Sequence, residues 1–184
     1  MSTTALIAIP TGTWTVDPAH SSVEFRVKHL GIATVRGQFR EFEGRLEVGD
    51  TIEATKAYGT IKAASIDTGE PQRDGHLRSP DFFDADNHPE LTFESTSIEV
   101  VDEDEFHVTG NLTMRGVTRE ITLHVEVTGT EVDPWGNTRV GLEAQGELNR
   151  GDYEMTFNQA LGSGNVLVSD KVRIGVEISA VKAS

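Results

Sequence analysis

The sequence contains no cysteine. Disulfides, thiolate metal centres and cysteine nucleophiles are thereby excluded. Basic residues are scarce: 16 Lys and Arg stand against 30 Asp and Glu, giving a formal net charge of −14 and a pI near 4.7. So acidic a chain repels nucleic acid and anionic bilayers on average, and an anionic ligand must meet a local basic patch. No apolar run approaches the ~18 residues of a membrane-spanning helix. The apolar stretch 5–9 is also shorter than the roughly 7–15 residue core of a secretion signal, and no Lys or Arg precedes Arg26. The expectation is a soluble, cytoplasmic protein with a loose tail over residues 1–12 and one domain over 13–184. Internal repeats, low-complexity segments and strand-helix alternation are lacking as well.

What the sequence does have is a two-residue rhythm. Val23, Phe25 and Val27 share one parity while Glu24, Arg26 and Lys28 share the other, as a half-buried strand requires. Phe106, Val108, Gly110, Leu112 and Met114 form a second such face, and Arg115-Gly116 turns the chain into Ile121, Leu123, Val125 and Val127. Asp133-Pro134-Trp135-Gly136-Asn137 carries the residues of another hairpin turn, and Val172, Ile174, Val176 and Ile178 close the chain with a last alternating run. Phe39 and Phe42 have opposite parity, so a continuous strand from Val35 to Val48 needs a bulge between them. Leu91 and Phe93 against Ile98 and Val100 predict a second bulge. The parity of Ile52 to Ala64 stays undecided, because Tyr58 and Ile61 fall on opposite faces. About eight strands, long and repeatedly bent, favour an all-β antiparallel barrel over a sandwich. A barrel of that size is filled by side chains or holds one small elongated ligand.

The exception to the rhythm is Ser65 to Pro89, which packs Arg73, Asp74, His76, Arg78, Phe82 and Phe83 between strands. A connection of that length is usually a lid, a binding loop or disordered. Two phenylalanines favour a short helical or irregular lid over a barrel mouth. Arg73, His76 and Arg78 suit an oxyanion or polar head. They equally suit pairing with Asp74 and Asp81 to hold the loop.

His20 and His29 flank one strand and could join His76 at the mouth, although no pair has helical metal-site spacing. His107 and His124 alternate with apolar neighbours and read as outward-facing. No G-x-S-x-G elbow occurs; Gly162-Ser163-Gly164 reads as a flexible loop and Asp84 with Asp86 as a solvated turn. Trp14 and the phenylalanines serve as core or as cavity wall.

In order along the chain, Asp17-Pro18-Ala19-His20-Ser21 with Val23 to His29, Ser65-Ile66-Asp67-Thr68-Gly69, Arg73 to Asp84, Gly110 to Thr118 and Asn149-Arg150-Gly151-Asp152-Tyr153 resemble the YceI-like family. The resemblance implies an extended, lipocalin-like barrel that binds a polyisoprenoid or similar long-chain amphiphile, commonly as a homodimer and without catalysis. No cofactor is implied beyond the bound lipid. Many members of that family carry a secretion leader, and many have glycine where this chain has Glu154. On this reading Phe25, Val27, Phe39, Leu112, Leu123, Phe157 and Val176 line the tunnel. Phe82 and Phe83 close it, while His20, His29, Arg73, His76 and Arg78 surround the mouth. The rival expectations are a metal-assisted enzyme at His20, His29 and His76, and a packed interaction module docking through Phe82 and Phe83.

Overall fold

Alternating parity becomes a closed wall in the computed structural model, which describes residues 9–164 and 166–183. The strands are β1 (Gly12–Val16), β2 (Ser22–His29), β3 (Ala33–Phe39), β4 (Phe42–Val48), β5 (Lys56–Lys62), β6 (Ile66–Asp67), β7 (Glu90–Val100), β8 (Glu105–Met114), β9 (Val117–Val132), β10 (Thr138–Asn149) and β11 (Val168–Lys182). Among the described residues one α-helix, α1 (Pro71–Arg78), interrupts them. All pairings among the described residues are antiparallel. The order β1-β4-β5-β7-β8-β9-β10-β11 returns to β1 and closes an eight-stranded barrel. Residues 1–8, most of the expected tail, lie outside the described residues; Ile9 packs on the core, and Pro10 accepts a hydrogen bond from the Trp14 indole N–H at 2.9 Å. Among the described residues no helix is long and apolar enough to cross a membrane.

β11 is the seam of the barrel. Its C-terminal residues Ala180, Val181 and Lys182 pair with β1, whereas Val172 to Glu177, earlier on the same edge, pair with β2. Beyond β2 the sheet continues through β3 to β6, so the wall divides near one end.

The expected single strand from Val35 to Val48 is in fact two. β3 pairs with β2 and β6, whereas β4 pairs with β1 and β5, and the chain turns a corner at Arg40-Glu41. A corner shifts side-chain parity as a bulge does, so Phe39 and Phe42 look alike in either case. The Arg40 N–H donates to Ser65 O and the Lys62 N–H to Glu41 O, which fixes the corner. The second expected bulge is present: β7 slips register against β8 between Ser95 and Ser97. Both hairpins are also present, and Arg115 and Gly116 take φ of 53° and 73°, the left-handed pair that a two-residue turn needs.

Bending lets rings lie on the wall. A Cβ on Gly37 would sit 2.3 Å from the Phe25 ring, and one on Gly110 would sit 2.5 Å from Phe93. Each glycine therefore makes room for the aromatic residue that crosses it. Buried side chains gather in two clusters, one around Trp14, Phe106 and Val140, the other around Phe39, Leu112 and Tyr153.

At the Trp14 end, Arg139 joins two turns. Its Nη1 donates to Asp17 Oδ2 at 2.9 Å and its Nε to Asp133 Oδ2 at 2.8 Å, while His20 Nδ1 lies 2.9 Å from Asp17 Oδ2. Hydrogen bonds from His20 and then Arg139 hold the Asp17 carboxyl down at about 2, and the Arg139 bond does the same for Asp133. Because both values fall below the unfolded aspartate range of about 3.9, this stabilisation is complete above pH 4 and is lost as pH falls toward 2. Urea titrations at pH 5 and pH 2.5 are expected to differ less for Arg139→Met than for the wild type.

Candidate ligand-binding site

Residues of both clusters also line a cavity of about 480 Å³. The barrel contributes Phe25 and Val27 from β2, Phe39 from β3, Leu112 from β8, Leu123 from β9 and Val176 from β11. Phe157, from the loop before β11, completes the tunnel wall named from the sequence. Other residues line it as well, among them Ile121, Ala144, Ile174 and Met155, which are not among the wall residues chosen from the sequence. The first three share alternating faces with Leu123, Leu142 and Val176.

The lid is built locally. Glu70 accepts from the Gln72 and Arg73 amides, and Pro71 follows at the first helical position, so α1 starts with its exposed donors satisfied. Ser79 Oγ donates back to His76 O, ending the helix. The buried Asp74 accepts from Thr68 N and Thr68 Oγ1, which ties the helix to the chain after β6. After α1 the chain brings Phe82 and Phe83 to the cavity. Phe83 meets Phe39 edge-on at 5.5 Å between ring centroids, and Phe82 lies 5.4 Å from Phe157. Arg115, from the β8–β9 turn, clamps this segment by donating Nη1 to Pro80 O and Phe82 O.

The basic residues of the expected mouth divide. His29, Arg73 and His76 line the cavity. The His76 ring stands edge-on to both Phe82 and Phe157, at 5.1 and 4.8 Å, with Nε2 2.9 Å from Asp81 Oδ2. Arg73 donates to Thr68 Oγ1 and Thr68 O, and Arg78 donates to Ala64 O and Ile66 O. Backbone and hydroxyl acceptors, rather than Asp74 and Asp81, thus take both arginines. Arg78 and His20 do not border the cavity. His20 precedes β2 and His29 ends it, and eight strand residues at about 3.3 Å each keep them more than about 20 Å apart. The three histidines of the metal reading are therefore not brought together.

Arg150 is a buried, charged site residue that sequence reasoning missed. It opens a 3₁₀ turn, Arg150–Tyr153, whose N-cap Asn149 accepts from the Gly151 amide. Only 3% exposed, it lines the cavity with its guanidinium carbon 6.0 Å from the Phe82 ring centre. Its Nε donates to Ser169 O, Nη1 to Met155 O and Nη2 to Val168 O. Burial depresses its pKa, against the nearby Asp170 carboxylate. The next turn residue, Tyr153, is also buried, and loss of solvent pushes its phenol up to about 12.

The turn ends at the exposed Glu154, with φ 64° and ψ 21°. The left-handed conformation thus falls on a residue that carries a side chain. Left-handed geometry costs a non-glycine residue roughly 1–2 kcal/mol, partly offset in glycine by a larger ordering entropy. Glu154→Gly is accordingly expected to raise the unfolding free energy by about 1 kcal/mol, read from the midpoint of a urea titration.

A closed antiparallel barrel around an apolar cavity, with an aromatic lid at one end, is the class of protein these features define. The YceI-like domain model matches residues 14–180, and the chain belongs to that family. It is 40% identical over 163 residues to a UPF0312 protein of Staphylococcus aureus (strain N315), covering 87% of this chain and 92% of that one. Among solved structures it is similar to the YceI protein of Campylobacter jejuni, with a TM-score of 0.74 at 30% identity over 85% of this chain and 90% of the other. The polyisoprenoid binding domain from Saccharophagus degradans shares the fold, with a TM-score of 0.70 at 16% identity over 92% and 98% of the two chains.

Proposed function

We propose that this protein is a non-catalytic binder of a long-chain amphiphile, a polyisoprenoid or isoprenoid quinone, which it carries, stores or sequesters. The observation that carries the reading is the 480 Å³ cavity, whose wall is almost wholly apolar and whose lid adds further aromatic rings. Binding pockets for small ligands commonly occupy about 300–1,000 Å³, so the space suits a hydrocarbon tail. The likeness to a domain described as polyisoprenoid binding supports the same ligand class. Burying hydrocarbon is worth roughly 0.8 kcal/mol per CH₂, so each five-carbon isoprene unit contributes about 4 kcal/mol. A charge-assisted hydrogen bond adds about 1.5–3 kcal/mol. The tail therefore sets affinity, and the polar groups near α1 set orientation. Native mass spectrometry of protein purified without detergent, followed by solvent extraction, is expected to return a prenyl lipid. Absence of any lipid, together with failure to bind added prenyl lipids, overturns the reading.

A further inference from the structure

We infer that Arg150 forms a head-group subsite at the lid end of the cavity, selecting amphiphiles whose head is an anionic oxygen group, a carboxylate or a phosphate. The inference rests on the proposed binding of a tail in the cavity. A guanidinium has five N–H donors, and three of these are committed to the carbonyls of Met155, Val168 and Ser169. Those acceptors are neutral. The carboxylate nearest Arg150 is Asp170, 3.6 Å away and 70% exposed, so water screens most of its charge. Arg150 itself has a side-chain exposure of 4%. A positive charge thus lies against an apolar cavity with no buried counter-ion among the described residues, an arrangement that is costly unless a negative group completes it.

The surroundings reinforce the sign. His29, Arg73 and His76 line the same cavity. β2 brings His29 opposite Val168, whose carbonyl accepts from Arg150, and the Phe82 ring centre lies 6.0 Å from the Arg150 guanidinium carbon and 5.1 Å from the His76 ring centre. Two carboxylates of the lid are engaged, Asp81 by His76 and Asp74 by Thr68. In a chain of net charge −14, Arg73 and Arg150 both border this cavity, so its lid end carries guanidinium groups where an acid head would sit. A neutral alcohol head accepts a hydrogen bond but leaves the charge uncompensated.

The test compares heads on one tail. Dissociation constants of delipidated protein for farnesoic acid, farnesyl diphosphate and farnesol are measured by displacement of a fluorescent fatty probe. The expected result is that at least one anion binds about tenfold or more tighter than the alcohol, the effect of one charge-assisted contact. Arg150→Gln is expected to bring that ratio close to one. Asp170→Asn, on an exposed side chain, removes the competing carboxylate and is expected to raise it. A stronger preference for the acid assigns a single-charge head, whereas a stronger preference for the diphosphate adds Arg73 and His76 to the subsite. Equal binding of all three, or an anion preference unchanged in both variants, overturns the head-group assignment alone. Binding of none overturns the proposed function as well.

Discussion

Ala144→Phe is expected to weaken binding of an isoprenoid tail by a hundredfold or more while leaving the fold intact. Ala144 lies on β10 between Val125 and Val176, is 9% exposed and borders the cavity. A phenyl ring there occupies space that the tail needs. Displacing one five-carbon unit forfeits about 4 kcal/mol, which is on the order of a thousandfold in Kd. Forcing a larger residue into a packed core costs about 1–3 kcal/mol, but here the ring enters open space. Melting temperature and binding measured on the same sample separate these effects. A large fall in melting temperature would mean that the wall is solidly packed, as the interaction-module reading requires. Unchanged binding would take the tail elsewhere.

Trp14→Ala is expected to lower the unfolding free energy by about 3–5 kcal/mol, the range for removing a large buried aromatic side chain. Trp14 is fully buried and sits on β1, the strand that joins β4 to β11 and so closes the barrel. Its indole N–H also donates to Pro10 O. Trp14→Phe keeps most of the apolar area and gives up that hydrogen bond, so its cost should be distinctly smaller. Urea denaturation of the three proteins checks the order. A loss below about 1 kcal/mol for alanine would mean that the wall collapses onto the site, with little cavity left behind.

Much of the barrel was legible in the sequence because one face of each long strand is wet and the other dry. β2, β8, β9 and β11 announce themselves by parity, and Arg115-Gly116 marks its own turn. The corner at Arg40-Glu41 was hidden because it shifts parity just as a bulge does. β5 was ambiguous because Ala57, Tyr58, Gly59 and Ile61 all border the cavity, so neither parity is cleanly outward. The helix α1 has almost no apolar stripe; its only buried residue is Asp74, and caps and Pro71 define it instead. The wall residues Phe25, Val27, Leu112 and Leu123 followed from strand rhythm alone.

The basic groups of the site were far less legible. Sequence proximity pairs Arg73 and Arg78 with Asp74 and Asp81, yet their acceptors are a hydroxyl and backbone carbonyls that proximity does not reveal. Arg150 sits where the strand rhythm breaks. Nothing in that break distinguishes a solvated turn arginine from one folded inward against three carbonyls. Only the meeting of the 150–157 loop with the start of β11 creates its environment.

The seam at β11 also bears on the order of folding. The first strand finds a partner in the last, since Trp14 pairs with Lys182, and β2 likewise waits for Val172 to Glu177. During synthesis on the ribosome, β7 to β10 can form a meander of neighbouring hairpins as they emerge. β1 and β2 must wait with one edge unpaired until β11 arrives. Contacts this distant in sequence pay their loop-closure entropy before they gain any stability. Barrel closure is therefore a late event, and the wall around the cavity is complete only after β11 has been made.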